Sequence, residues 1–244
     1  MKPIIGVPLR YEHLKDDRPI LYLSEKVRRT LQKAGGHVYP IAPVLDVDFI
    51  NTRGNEFPEL TDEHKKIINY NLDMCDGIFF PGGIKFTPYD RYILEYCINK
   101  KIPVLGVCLG MQLMSCYDEE VKMDKNETEI DHRQESDLEF RHKVKIDKDS
   151  RLYDILETDE ILVNSFHNRH ATKNHIYKTV AYSEDGLIEA IEFPSNTFNL
   201  GVQWHPEISY DFDKNSKKII DYFIKETMSY HKNKEQVKTG QNFI

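Results

Sequence analysis

A cysteine between two glycines, Gly106-Val107-Cys108-Leu109-Gly110, follows the apolar run Ile102-Pro103-Val104-Leu105 and leads into Met111-Gln112-Leu113-Met114. Such a pattern makes a strand, a sharp turn and a helix, with the middle side chain thrust out above a sheet edge. The helix dipole and free N–H groups stabilise negative charge at that position, the setting in which a cysteine acts as nucleophile. Further on, Gly201-Val202-Gln203-Trp204-His205-Pro206-Glu207 supplies an imidazole and, two positions later, a carboxylate. Cys108, His205 and Glu207 thus provide a nucleophile, a general base and an orienting acid for covalent acyl transfer. His205 and Glu207 are expected on an extended segment, where residues two apart share a face and Pro206 fixes the geometry.

Acyl transfer also needs donors for the oxyanion. The N–H of Leu109, next after the nucleophile, is one. Gly82 or Gly83 in the turn Pro81-Gly82-Gly83 is the other, because a glycine lets backbone approach substrate closely.

The elements that must hold these groups follow from periodicity. Ile4 to Val7, His37 to Ile41, Gly77 to Phe80 and the Val104 run read as strands. Between them, Leu23, Val27, Leu31 and Ala34 mark one apolar helix face, Thr61 caps a helix reaching about Asp73, and Asp90 to Lys100 forms a third. Strands alternating with helices predict an α/β fold with a mostly parallel sheet covered on both faces, and ligands bind beyond the carboxyl ends of such strands. Residues 118–139 are dense in charge and read as a solvated loop or hairpin. Strands are expected again around Lys143–Ile146, Glu160–Val163, Leu187–Phe193 and Phe198–Gln203, and a closing helix around Ile219–Ile224. One domain over 1–228 is expected, followed by a polar, frayed tail over 229–244.

Composition narrows the classes of function. The chain has 244 residues, 40% of them hydrophobic and 30% charged, with net charge −7. That charge argues against nucleic acid or an anionic membrane as partner. No apolar run approaches the roughly 20 residues that cross a bilayer, and Pro8 interrupts the start too early for a signal peptide, so a cytoplasmic location is expected. Cys75, Cys97 and Cys116 read as buried apolar residues. The histidines show no ligand spacing with cysteines and no phosphate-binding glycine fingerprint occurs, so neither a metal nor a cofactor is expected.

The three motifs, in this order and spacing, resemble the class I glutamine amidotransferase superfamily. Ile5-Gly6-Val7-Pro8, Ala34-Gly35-Gly36-His37-Val38-Tyr39-Pro40-Ile41, Pro88-Tyr89-Asp90 and Asn164-Ser165-Phe166-His167 resemble its γ-glutamyl-γ-aminobutyrate hydrolase group, the C26-type peptidases. The resemblance spans about residues 3 to 225. It implies a flavodoxin-like α/β core and hydrolysis of a small-molecule γ-glutamyl amide by Cys108, His205 and Glu207. It further implies that Gln112 holds the γ-glutamyl group and that Ser165 and His167 belong to a substrate-side loop. Ile84-Lys85-Phe86 and Arg169 depart from the group's usual residues, which suggests that Lys85 and Arg169 serve an acidic leaving group. The same triad would equally serve a glutaminase subunit that delivers ammonia to a separate synthetase, and a homodimer is left open.

Overall fold

The computed structural model describes residues 1–52, 56–117, 123–133, 140–173 and 175–240, with only the backbone of 237–240. The chain starts with β1 (Ile4–Pro8), a hairpin of β2 (Arg10–His13) and β3 (Pro19–Tyr22), α1 (Glu25–Lys33) and β4 (His37–Ile41). Gly35, at φ +108°, ends α1 in the left-handed conformation that glycine adopts without steric cost. Next come α2 (Asp62–Asp73), β5 (Gly77–Phe80), α3 (Pro88–Lys100), β6 (Val104–Val107) and α4 (Leu109–Ser115). The Thr61 hydroxyl accepts the His64 N–H at 3.2 Å, capping α2 as its sequence predicts. Thr87 and Asp90 cap α3, with Pro88 at its first turn, so this helix starts two residues before the expected Asp90.

The remaining elements are β7 (Asp124–Lys125), β8 (His142–Ile146), α5 (Arg151–Leu156), β9 (Glu160–Val163), β10 (Arg169–His170), β11 (Lys178–Ser183), β12 (Ile188–Glu192), β13 (Asn199–Val202), α6 (Pro206–Ser209) and α7 (Lys214–Gly240). Of the charged stretch, residues 118–122 and 134–139 lie outside the described residues, and β7 pairs antiparallel with β10.

One nine-stranded sheet runs in the order β4-β1-β5-β6-β13-β12-β11-β8-β9. Its first five strands are all parallel, and the other four extend it by antiparallel pairing. Alternate strand residues feed two apolar layers, as a period of two requires. Ile5, Val7, Phe79, Leu105 and Val107 join one layer with Val27, Leu31 and Phe223. Ile78, Phe80 and Val104 join the other with Ile68, Leu72, Ile93 and Met111. Burial on both faces explains why these strands are almost continuously apolar. The substance of the expected α/β architecture is present, and β5, β6 and β13 end side by side at the edge where the motifs lie.

The structure differs at the C-terminal side. Instead of fraying after residue 228, α7 continues to Gly240 because its polar residues dock on a buried carboxylate. Asp76, 2% exposed, lies 3.0 Å from His231 Nδ1 and 3.4 Å from Lys234 Nζ, and it accepts the Ile4 N–H at 2.8 Å.

Candidate active site

Cys108 occupies the turn between β6 and α4 at φ +51°, ψ −104°, a strained conformation for a residue with a side chain. Its neighbours must be glycines. A Cβ at Gly110 would sit 2.3 Å from the Phe80 carbonyl oxygen, and one at Gly106 would sit 2.7 Å from the Gly110 backbone. The chain therefore pinches against itself here, and Cys108 projects between two cavities that both touch it. Cys75, Cys97 and Cys116 are buried as expected, and burial pushes the Cys75 thiol up to about 12.

His205 stands across from Cys108, both side chains lying within 3.6 Å of the point where a Cβ on Gly82 would sit. Its Nδ1 lies 2.8 Å from Glu207 Oε1, which orients the ring. Burial alone pushes this imidazole down, but Glu207 and Cys108, by charge and hydrogen bond, outweigh it and hold His205 well above its ordinary value. The pair is not on an extended segment as its spacing suggests. β13 ends at Val202, His205 caps α6, and Pro206 and Glu207 form its first turn, because proline is favoured at that position.

Asn164 clamps the backbone of His205. It accepts the His205 N–H at 2.8 Å and donates to the His205 carbonyl at 2.9 Å. Phe166 presents an edge to the ring, with centroids 5.4 Å apart at 84°. Gly82 lies against the other side, where an added Cβ would meet His205 Cε1 at 2.7 Å. The N–H groups of Gly82, Gly83 and Leu109 donate to no acceptor among the described residues, which leaves them available to an oxyanion.

Sequence reasoning missed what anchors the glycine turn. Arg10, 3% exposed, donates to the Pro81 carbonyl from Nε at 3.3 Å and Nη2 at 3.1 Å. Its Nη1 pairs with Asp90 Oδ1 at 2.7 Å, while Asp90 Oδ2 accepts from the Thr87 N–H and hydroxyl. One carboxylate thus caps α3 and holds the arginine that holds the turn. The signal available was the Thr87-Pro88-Tyr89-Asp90 capping pattern, but nothing local pairs Asp90 with Arg10.

Gln112 lines the larger cavity, about 710 Å³, with its amide nitrogen 3.0 Å from the Arg169 carbonyl and 3.2 Å from Gln203 Oε1. His167 lines it as well, whereas Ser165 is fully buried, turned toward His132 at 3.3 Å, and lines neither cavity at Cys108. Lys85 and Arg169 line the cavity together with Arg133. The Lys85 ammonium, however, is tied to the carbonyls of Ile50 and Thr52 at 2.9 and 2.6 Å, which weakens its suggested part in holding a leaving group.

The expectation of no metal site rested on spacing along the chain, whereas the fold gathers ligand-type side chains from separate segments. His132, His142, His167 and Glu189, all buried, bring one ligand atom each to within 4.8 Å of one another.

Residues 87–207 match the model of the family described as Peptidase C26. The glutamine amidotransferase-like protein YvdE of Lactococcus lactis is 30% identical over 68% of this chain and 80% of its own length. Protein NtpR of Enterococcus hirae is 27% identical over 93% of this chain and all of its own. The γ-glutamyl-γ-aminobutyrate hydrolase PuuD of Escherichia coli is 26% identical over 84% and 85%. A solved structure assigned as a GMP synthase component of Thermoplasma acidophilum superposes with TM-score 0.65 at 16% identity, over 96% of this chain and 99% of that one. The last likeness concerns the fold alone. No described helix is long and apolar enough to cross a membrane.

Proposed function

The chain belongs to the Peptidase C26 family of the class I glutamine amidotransferase-like superfamily, and from that membership we propose that it hydrolyses γ-glutamyl amides through Cys108, His205 and Glu207. One observation carries the reading: a strained cysteine between two cavities, facing a histidine that a buried glutamate orients at 2.8 Å. PuuD, named a γ-glutamyl-γ-aminobutyrate hydrolase, supports the substrate class.

In this mechanism Cys108 Sγ attacks the γ-carbonyl carbon and the thiol proton resides on His205. The carbonyl oxygen gains negative charge toward the N–H groups of Leu109 and of Gly82 or Gly83. As the C–N bond breaks, His205 gives its proton to the leaving amine and a glutamyl thioester remains. Water then enters, His205 takes a proton from it, and the thioester hydrolyses to glutamate with the thiol restored. The balance is amide plus water to glutamate plus amine. Arg133 and Arg169, beside Gln112, give the larger cavity a cationic lining that suits the carboxylate of a γ-glutamyl substrate.

The test is release of glutamate by the purified chain from glutamine, γ-glutamyl-γ-aminobutyrate and other γ-glutamyl amines, with Cys108→Ala as control. Turnover of one of these by the chain alone, lost in the variant, is the expected result. Turnover of glutamine only after a second protein is added would replace this reading with that of a glutaminase subunit. Arg169→Glu is expected to raise KM about tenfold, the effect of losing one charge-assisted contact.

A further inference from the structure

Behind the substrate cavity, four buried side chains from separate parts of the chain point at one spot. His132 follows β7, His142 starts β8, His167 lies between β9 and β10, and Glu189 is on β12. Their relative exposures are 2, 3, 4 and 0%. Glu189 Oε1 lies 3.4 Å from His167 Nε2, 3.6 Å from His142 Nε2 and 3.7 Å from His132 Nδ1. These separations exceed good hydrogen bonds. They sit near the roughly 3.3–3.6 Å between neighbouring ligand atoms of a tetrahedron with metal–ligand bonds of about 2.0–2.2 Å.

The far side of each ring is anchored. His142 Nδ1 faces the Lys143 carbonyl at 3.3 Å, and His167 Nδ1 faces the Arg169 carbonyl at 3.0 Å. The Asn126 amide, 3.3 Å from His167 Nδ1, also donates to the His167 carbonyl at 3.1 Å. The Lys143 carbonyl only accepts, so His142 Nδ1 carries the proton and its Nε2 keeps a bare lone pair; the Arg169 carbonyl, the nearer partner of His167 Nδ1, favours the same tautomer there. His132 Nε2 is held by Asp185 Oδ2 at 2.8 Å, which turns its Nδ1 inward beside the Ser165 hydroxyl. A carboxylate or carbonyl behind each imidazole is the arrangement that orients histidines on a metal.

At the centre, acceptors face acceptors. His142 Nε2, His167 Nε2 and both Glu189 carboxylate oxygens are buried with no hydrogen-bond partner among the described residues. Four such atoms converging without a donor are costly unless a cation sits between them. We propose that His132, His142, His167 and Glu189 bind one divalent transition-metal ion of the zinc class. Three imidazoles and one carboxylate are the donor set such ions take. The site is closed to solvent and all four positions are filled by protein, so its role is structural. It ties β8 and β12 to the segment carrying Asn164 and Phe166, which hold His205.

The experiment is elemental analysis of the untagged full chain, followed by chelation and re-addition of Zn²⁺ or Co²⁺. About one ion per chain is expected, with the strong visible absorption of tetrahedral Co²⁺ and a rise in Tm on re-addition. His142→Gln and Glu189→Gln are each expected to lower the bound metal at least about tenfold, while His37→Gln, on an exposed histidine, retains it. A folded chain that takes up no Zn²⁺ or Co²⁺ and shows no Tm shift overturns the proposal. So does wild-type metal content in both ligand variants. Should those variants not fold, Co²⁺ titration of the chelated wild-type chain decides alone.

Discussion

Replacing Gly82 by alanine perturbs the proposed chemistry at its narrowest point. The new Cβ would stand 2.7 Å from His205 Cε1, against an ordinary contact of at least 3.4 Å, so the ring must withdraw by about 0.7 Å. It has little room to do so. Glu207 holds Nδ1 at 2.8 Å, Asn164 clamps the backbone at both ends, and Phe166 closes a face. A displacement approaching 1 Å costs about 100-fold in rate, or about 2.7 kcal/mol of barrier. The loss is expected in kcat, measured as glutamate release, with KM within about threefold because the larger cavity is untouched. Gly83→Ala is the internal comparison. Its Cβ would meet Arg10 Cδ and Leu109 Cδ2 at 3.0 Å, side-chain atoms that yield by a few tenths of an ångström, so its loss of kcat is smaller. A Gly82→Ala chain with unchanged Tm and kcat within about threefold of wild type would refute the reasoning that His205 is immobilised for proton transfer.

Glu207→Gln removes the charge that holds His205 above its ordinary value. In wild type that raised value makes the folded protein bind more protons than the unfolded chain. Stability from this group is therefore complete below about pH 6.5 and is lost as pH rises through the folded value. Tm recorded against pH should fall more steeply in wild type than in the variant across that window, and parallel profiles would contradict the coupling. Asp90→Ala strands the buried Arg10 charge and uncaps α3, for an expected loss of about 3–5 kcal/mol in urea unfolding. A loss below about 1 kcal/mol would mean that the pair is dispensable.

What the chain makes legible is local. The elbow at Cys108 is readable because strand, glycines and helix adjoin, and the Gly35 stop and the Thr61 cap are readable for the same reason. His205 and Glu207 are legible as a pair, but Pro206 starts a helix of four residues rather than fixing an extended one. The β2–β3 hairpin escaped because its strands are four residues long, and only Arg10 and Tyr11 of the first are fully buried. Arg10 with Asp90, and His132, His142 and His167 with Glu189, meet only after the sheet has formed. No spacing rule reports on them, because the sheet order places β8 beside β11 and β9 and leaves the ligands scattered along the chain.

Asp76 has a consequence for the order of events during synthesis. This carboxylate receives the amide of Ile4, at the start of β1, and the side chains of His231 and Lys234, near the far end of α7. β1 lies between β4 and β5, inside the parallel half that carries the elbow. A nascent chain can pair these strands early, but its Asp76 stays uncovered until α7 has cleared the ribosome tunnel. The first strand laid down is therefore among the last to be sealed, and a translating chain spends most of its emergence with the part of that apolar layer that α7 covers, around Phe223, still bare.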